Sequence, residues 1–96
     1  MVFFSTTLTA STTIQSLMAN RPGIIRASQV MIKVRSMGTA SYVAIGGIDS
    51  QDSRLLSVGD ATSVSGTPSN PTFNPSKIYV SSDTSDAVIE VLGERI

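Results

Sequence analysis

Between residues 29 and 35 the chain alternates with a period of two. Val30, Ile32 and Val34 are apolar, and Gln29, Met31, Lys33 and Arg35 stand around them. Successive side chains of a strand point to opposite faces, so this run reads as a strand with one face buried and one turned to water. Such a strand needs partners on either side and a second layer over its apolar face. The rest of the chain can supply both. Val, Ile and Thr make up 28 residues, the β-branched types that suit a pleated surface. Residues 41–45 are apolar on both faces, as in a central strand, and Gly46-Gly47 ends the run. Residues 78–80 and 87–92 are further strands; in the second, Ile89 and Val91 take one face while Val88, Glu90 and Leu92 take the other. Residues 81–86 between them are rich in Ser and Asp, so these two runs are expected to form an antiparallel hairpin. Weaker strand signals cover residues 2–9, 54–58 and 62–65, with Gly59-Asp60 as a turn pair.

Two segments read less simply. In residues 13–19, Ile14, Leu17 and Met18 have helical spacing. Thr12 and Gln15 have capping-box spacing, and Arg21-Pro22-Gly23 would stop a helix. The surrounding Ser/Thr-rich run favours an extended strand instead, with the helix as the alternative. Residues 66–76 hold Pro68, Pro71 and Pro75, three of the four prolines. That density excludes a ladder and predicts a long loop of polyproline-like character with Phe73 at its middle. At 96 residues and 10.1 kDa, one domain with a modest core is expected over residues 1–96, with residues 1–9 as its first strand or as an arm. The fold expected is all-β: a small antiparallel β-sandwich of six to eight short strands with a Pro-rich loop, a jelly roll being one form of it.

Composition then narrows the chemistry. The chain has no His and no Cys, which removes a thiol nucleophile, a disulfide, a His general base and the usual zinc ligands. Its 16 Ser include no Gly-x-Ser-x-Gly elbow. Paired acids occur as Asp49/Asp52 and as Asp83/Asp86. Calcium accepts such oxygens, but both pairs sit in turn-like sequence, where Asp caps backbone N–H groups. Glu90 is the one carboxylate inside an apolar run, and it is expected on the wet face or beside Lys33 or Arg35. The expectation is a chain that is not an enzyme and holds no cofactor or metal. A net charge of zero argues against nucleic acid or an acidic membrane as partner. Apolar runs reach only four residues, too short for a membrane span, and the N-terminus lacks the basic region of a signal peptide. Charge is split along the chain. Residues 1–48 carry four bases and no acid; residues 49–96 carry seven acids and three bases, so the halves are +4 and −4. Cross-strand pairing within one copy accounts for this, and opposed patches between copies would do so too.

Two apolar features exceed what a monomer's surface needs: Val2-Phe3-Phe4 at the N-terminus, and Phe73 among the prolines. Val2, Phe3, Phe4, Pro68, Pro71, Phe73 and Pro75 are therefore the candidate protein interface. The competing reading puts Phe3 and Phe4 in the first strand, plugging the end of the sandwich.

Several short runs in order carry a resemblance: Gln29-Val30-Met31-Ile32-Lys33-Val34-Arg35, Ala40-Ser41-Tyr42-Val43-Ala44-Ile45-Gly46, Leu55-Leu56-Ser57-Val58-Gly59-Asp60, Ile78-Tyr79-Val80 and Val88-Ile89-Glu90-Val91-Leu92. Over residues 28–92 the chain resembles the small β-sandwich accessory proteins of tailed-bacteriophage virions, although the Pro-rich loop has no place in that pattern. The resemblance implies a capsid decoration (cement) protein that stabilises the head as a homo-oligomer, commonly a trimer. Its partner would be the major capsid protein, and its location the capsid surface after assembly in the host cytoplasm. The alternative function is a receptor- or carbohydrate-binding module of a head or tail fibre, for which the chain offers only Tyr42, Tyr79 and Phe73 as platform aromatics.

Overall fold

A computed structural model describes residues 2–47 and 50–96. Its strands are β1 (Val2–Ala10), β2 (Gln15–Ser16), β3 (Ala27–Ser36), β4 (Val43–Gly47), β5 (Ser50–Leu55), β6 (Ala61–Ser65), β7 (Tyr79–Ser82) and β8 (Ala87–Arg95). They form two four-stranded antiparallel sheets. Sheet I has the order β1-β8-β3-β6, and sheet II the order β2-β7-β4-β5. Eight strands in two sheets with these orders are a jelly roll. The chain is a small all-β sandwich, as expected.

The alternation at residues 29–35 is realised in β3. Val30, Ile32 and Val34 are buried, and Gln29, Met31, Lys33 and Arg35 are exposed. Phe4, Leu8, Ile89 and Val91 join them from β1 and β8, and Val43, Ile45, Leu55 and Val80 meet them from sheet II. Ile78, expected to begin a strand over residues 78–80, lies just before β7 and packs against the core half-buried. In β4, Val43, Ala44 and Ile45 are all buried, as suits a strand between β7 and β5. Burying one such aliphatic side chain contributes ~1.5–3 kcal/mol, so this double layer is the main source of stability.

The expected hairpin between residues 78–80 and 87–92 does not form. β7 lies in sheet II and β8 in sheet I, so the chain arches from one sheet to the other across residues 83–86. Val80 and Ile89 are both fully buried, one in each sheet. The arch is held from outside. The Ser41 N–H donates to the Asp83 carboxylate at 2.9 Å, and the Thr39 N–H and hydroxyl donate to Asp86, each at 2.9 Å. Gly38 makes that approach possible: its φ is +57°, and a Cβ there would stand 2.5 Å from the Asp86 carboxyl carbon.

No helix forms in residues 13–19. Residues 15–16 are β2, and Leu17 and Met18 then turn inward and are buried. Gln15 does not cap a helix; its side-chain amide donates to the Thr9 carbonyl at 2.7 Å. The Pro-rich segment is not a free polyproline loop either. Phe73 and Ala27 exchange both backbone hydrogen bonds at 2.9 Å, and Pro75 opens a 3-10 turn (Pro75–Lys77) in which the Ser76 N–H donates to the Asn74 side chain at 2.9 Å.

Candidate functional site

The structure separates the candidate interface residues. Phe4 is 7% exposed and belongs to the core, and Pro75 is buried under its 3-10 turn, so neither is an exposed anchor. Phe73 is half-buried and tied to β3 by the bridge to Ala27. Pro68 and Pro71 are exposed at the far end of the loop. Val2 and Phe3 are exposed as well, Phe3 to 77%. The reading of residues 2–9 as the first strand is therefore correct, and the strand's alternation puts Phe4 inside and Phe3 outside.

Phe3 does not stand alone. The outward side chains of sheet I fall into rows across the four strands, fixed by the strand register. One row runs Phe3, Glu94, Gln29, Ser65; the next Ser5, Leu92, Met31, Ser63; the third Thr7, Glu90, Lys33, Ala61. Leu92 and Met31 are adjacent and each about two-fifths exposed. With Phe3, Gln29 and Ser63 they line a shallow, mostly apolar groove of ≈ 440 Å³ that runs from β1 toward β6. The surface is thus an apolar centre with acids on β8 (Glu90, Glu94) and bases on β3 (Lys33, Arg35). Lys33 stands opposite Glu90 in the register. Met31 and Leu92 had a visible signal, since each is an apolar residue on the wet face of its alternating strand. Their adjacency depends on β3 pairing with β8, which sequence alone does not specify.

The floor of this surface depends on Gly93. A Cβ there would lie 2.6 Å from two carbons of the Phe4 ring and 2.9 Å from the Gln29 carbonyl oxygen. Glycine lets the ring lie flat against β8 from the core side, which anchors β1 and so positions Phe3 on the opposite face.

The free edge of β1 is partly covered along residues 5–9. The outward carbonyls of Ser5, Thr7 and Thr9 accept hydrogen bonds from the side chains of Arg21 (3.2 Å), Asn20 (2.6 Å) and Gln15 (2.7 Å). Occupying these acceptors removes the template that an edge strand offers for unwanted pairing. Contact through β1 therefore favours its outward side chains over its backbone.

The described aspartates Asp60, Asp83 and Asp86 accept hydrogen bonds that hold turns. Asp49 and the side chain of Asp52 lie outside the described residues. Asp83 is held below the usual carboxylate range by the Ser41 N–H, and Asp86 by the Thr84 hydroxyl together with the N–H and hydroxyl of Thr39. Asp60 is lowered in the same way by the Leu56 N–H and the Ser57 hydroxyl, closing the turn in which Gly59 has φ +92°. Among the described residues no three His, Cys, Asp or Glu side chains gather as a metal site. Tyr42 is half-buried with the Arg54 guanidinium 4.2 Å from its ring centroid, so its face is already occupied.

No protein-family model and no curated protein sequence matches the chain. Among solved structures it is similar to a chain from a study of Bacillus endospore appendages, described as a novel family of disulfide-linked pili. The TM-score is 0.51 at 8% identity, over 99% of this chain and 87% of that one. At this identity the likeness extends to the fold alone.

Proposed function

We propose that this chain is a structural subunit that acts by docking onto other protein, as an oligomer and as part of a larger shell or fibre. The observation that carries this reading is the apolar centre of the outer face of sheet I, where Phe3, 77% exposed, stands beside Leu92 and Met31. Contiguous apolar surface of this kind on a small domain marks an interaction site. An aromatic ring is a good anchor there, because it brings large area with few rotors to freeze. A similar fold in an appendage described as a pilus is compatible with assembly as the task of such a sandwich. That appendage is described as disulfide-linked, whereas this chain has no cysteine and must associate by non-covalent contacts. Decoration of a tailed-phage head, on the virion surface with the major capsid protein as partner, is the particular form that the sequence resemblance adds. Its mechanism would be mass action: a ligand that binds the assembled shell and not its loose subunits stabilises the shell.

The test is a double variant, Phe3→Ser with Leu92→Ser, compared with the parent by sedimentation in solution and by co-sedimentation with undecorated phage heads. Both changes are on the outer face, so the melting curve should stay cooperative while association falls. A variant that associates as the parent does in both assays refutes the reading.

A further inference from the structure

We propose that the partner on the outer face of sheet I is a second copy of this chain, packed face to face about a two-fold axis that runs along the strands between β8 and β3. The inference rests on the docking reading above and names the occupant of that surface. Its basis is self-complementarity. Rotation about such an axis lays β3 of one copy over β8 of the other and keeps the rows aligned. Met31 of each copy then meets Leu92 of the other, Gln29 meets Glu94, and Lys33 meets Glu90. Bases on one strand and acids on its neighbour, with an apolar pair between, make a surface that matches itself under this one operation.

The outer strands fit as well. The same rotation lays β1 over β6, so the largest outward side chain, Phe3, comes over the small residues Ser63 and Ser65. The groove beside Ser63, Gln29 and Met31 is where the ring would seat. Three rows on four strands cover ~17 by ~19 Å at usual strand rise and spacing. The two flat faces together cover roughly 650 Å², and side-chain relief raises the buried area toward the ~1,000 Å² of a small specific interface. An interface of this small size calls for association to be measured up to several hundred micromolar.

The test exploits the symmetry. Lys33→Glu places two acids against each other across the axis, twice per dimer, and Glu90→Lys places two bases. Each variant alone should associate ~10-fold or more weakly than the parent in sedimentation equilibrium. Mixed one to one, they should recover a heterodimer, because each new charge then meets its opposite. Within each copy residues 33 and 90 still carry like charge, so recovery arises only between copies. Circular dichroism of each variant confirms folding. Recovery on mixing supports the two-fold. A parent that stays monomeric at several hundred micromolar overturns it, as does a trimer indifferent to both swaps, or a mixture no tighter than its components. Binding of a monomeric parent to phage heads, lost in the Phe3 and Leu92 variant, would leave the docking reading standing and refute only the two-fold.

Discussion

Replacing Gly93 by alanine tests the packing that holds β1 in place. Alanine ordinarily gains ~0.5–1 kcal/mol over glycine inside a strand, because glycine loses more backbone freedom on folding. Here the new methyl would sit 2.6 Å from Phe4 Cε1 and Cζ and 2.9 Å from the Gln29 carbonyl oxygen. The ring is 7% exposed and belongs to the core cluster, and the carbonyl belongs to the β3 ladder. Overpacking of a filled core costs ~1–3 kcal/mol. The cost exceeds the gain, and a net loss of ~1–2 kcal/mol is expected. For a domain of this size each kcal/mol moves the melting midpoint by ~4–8 °C, so Gly93→Ala should melt roughly 5–15 °C lower. The diagnostic experiment is a double-mutant cycle by urea unfolding. Phe4→Ala alone should cost ~3–5 kcal/mol. In that background most of the crowding is gone, so Gly93→Ala should be close to neutral and the two changes should couple by ~1–2 kcal/mol. A single variant as stable as the parent, or strictly additive effects, would show that the ring does not lie over Gly93.

Other expectations follow from the same contacts. Ile32→Ala, at a fully buried site, should cost ~2–5 kcal/mol; an unchanged melting midpoint would mean the β3 register is wrong by one residue. Gly66→Ala would place a methyl 2.0 Å from the Pro71 carbonyl oxygen, so the loop must open and lose its bonds to Ala27. Proteolysis within residues 67–72 should then accelerate, whereas Gly23→Ala, with nothing within 4 Å, should not change the digest. Asp60, Asp83 and Asp86 have folded pKa values below their unfolded value of ~3.9. Their contribution is complete above that value and is lost as pH falls through the folded pKa. Melting midpoints should therefore decline below about pH 4, and Asp86→Asn should flatten that decline. Asn20→Ala with Arg21→Ala uncovers the Ser5 and Thr7 carbonyls at the β1 edge, and light scattering should rise during storage while the parent stays clear.

Much of the fold was legible in local patterns. Alternation placed Val30, Ile32, Val34, Ile89 and Val91 inward, and the two-sided apolar run of residues 41–45 marked the interior strand, which begins at Val43, because burial acts on each side chain as the pleat presents it. Ser, Asp and Gly located the turns, since their backbone preferences are local. The pairing of strands was not legible. The run from Ser81 to Asp86 suits a hairpin and an arch equally; the choice fell to the opposite sheets, which bury Val80 and Ile89 in one core, and to Thr39 and Ser41, which hold the arch from more than forty residues away. The helical spacing of Leu17 and Met18 with Ile14 pointed to an element that does not form; both side chains, like Ile24, join the core from outside any regular period. The candidate surface divides in the same way. Sequence alone marked Phe3 and Phe4 as apolar residues in need of cover, and the strand's period of two sent one to each face. Only the tertiary register brought Phe3, Leu92 and Met31 from three strands into one patch, because adjacency across a sheet is set by which strands pair and at what offset.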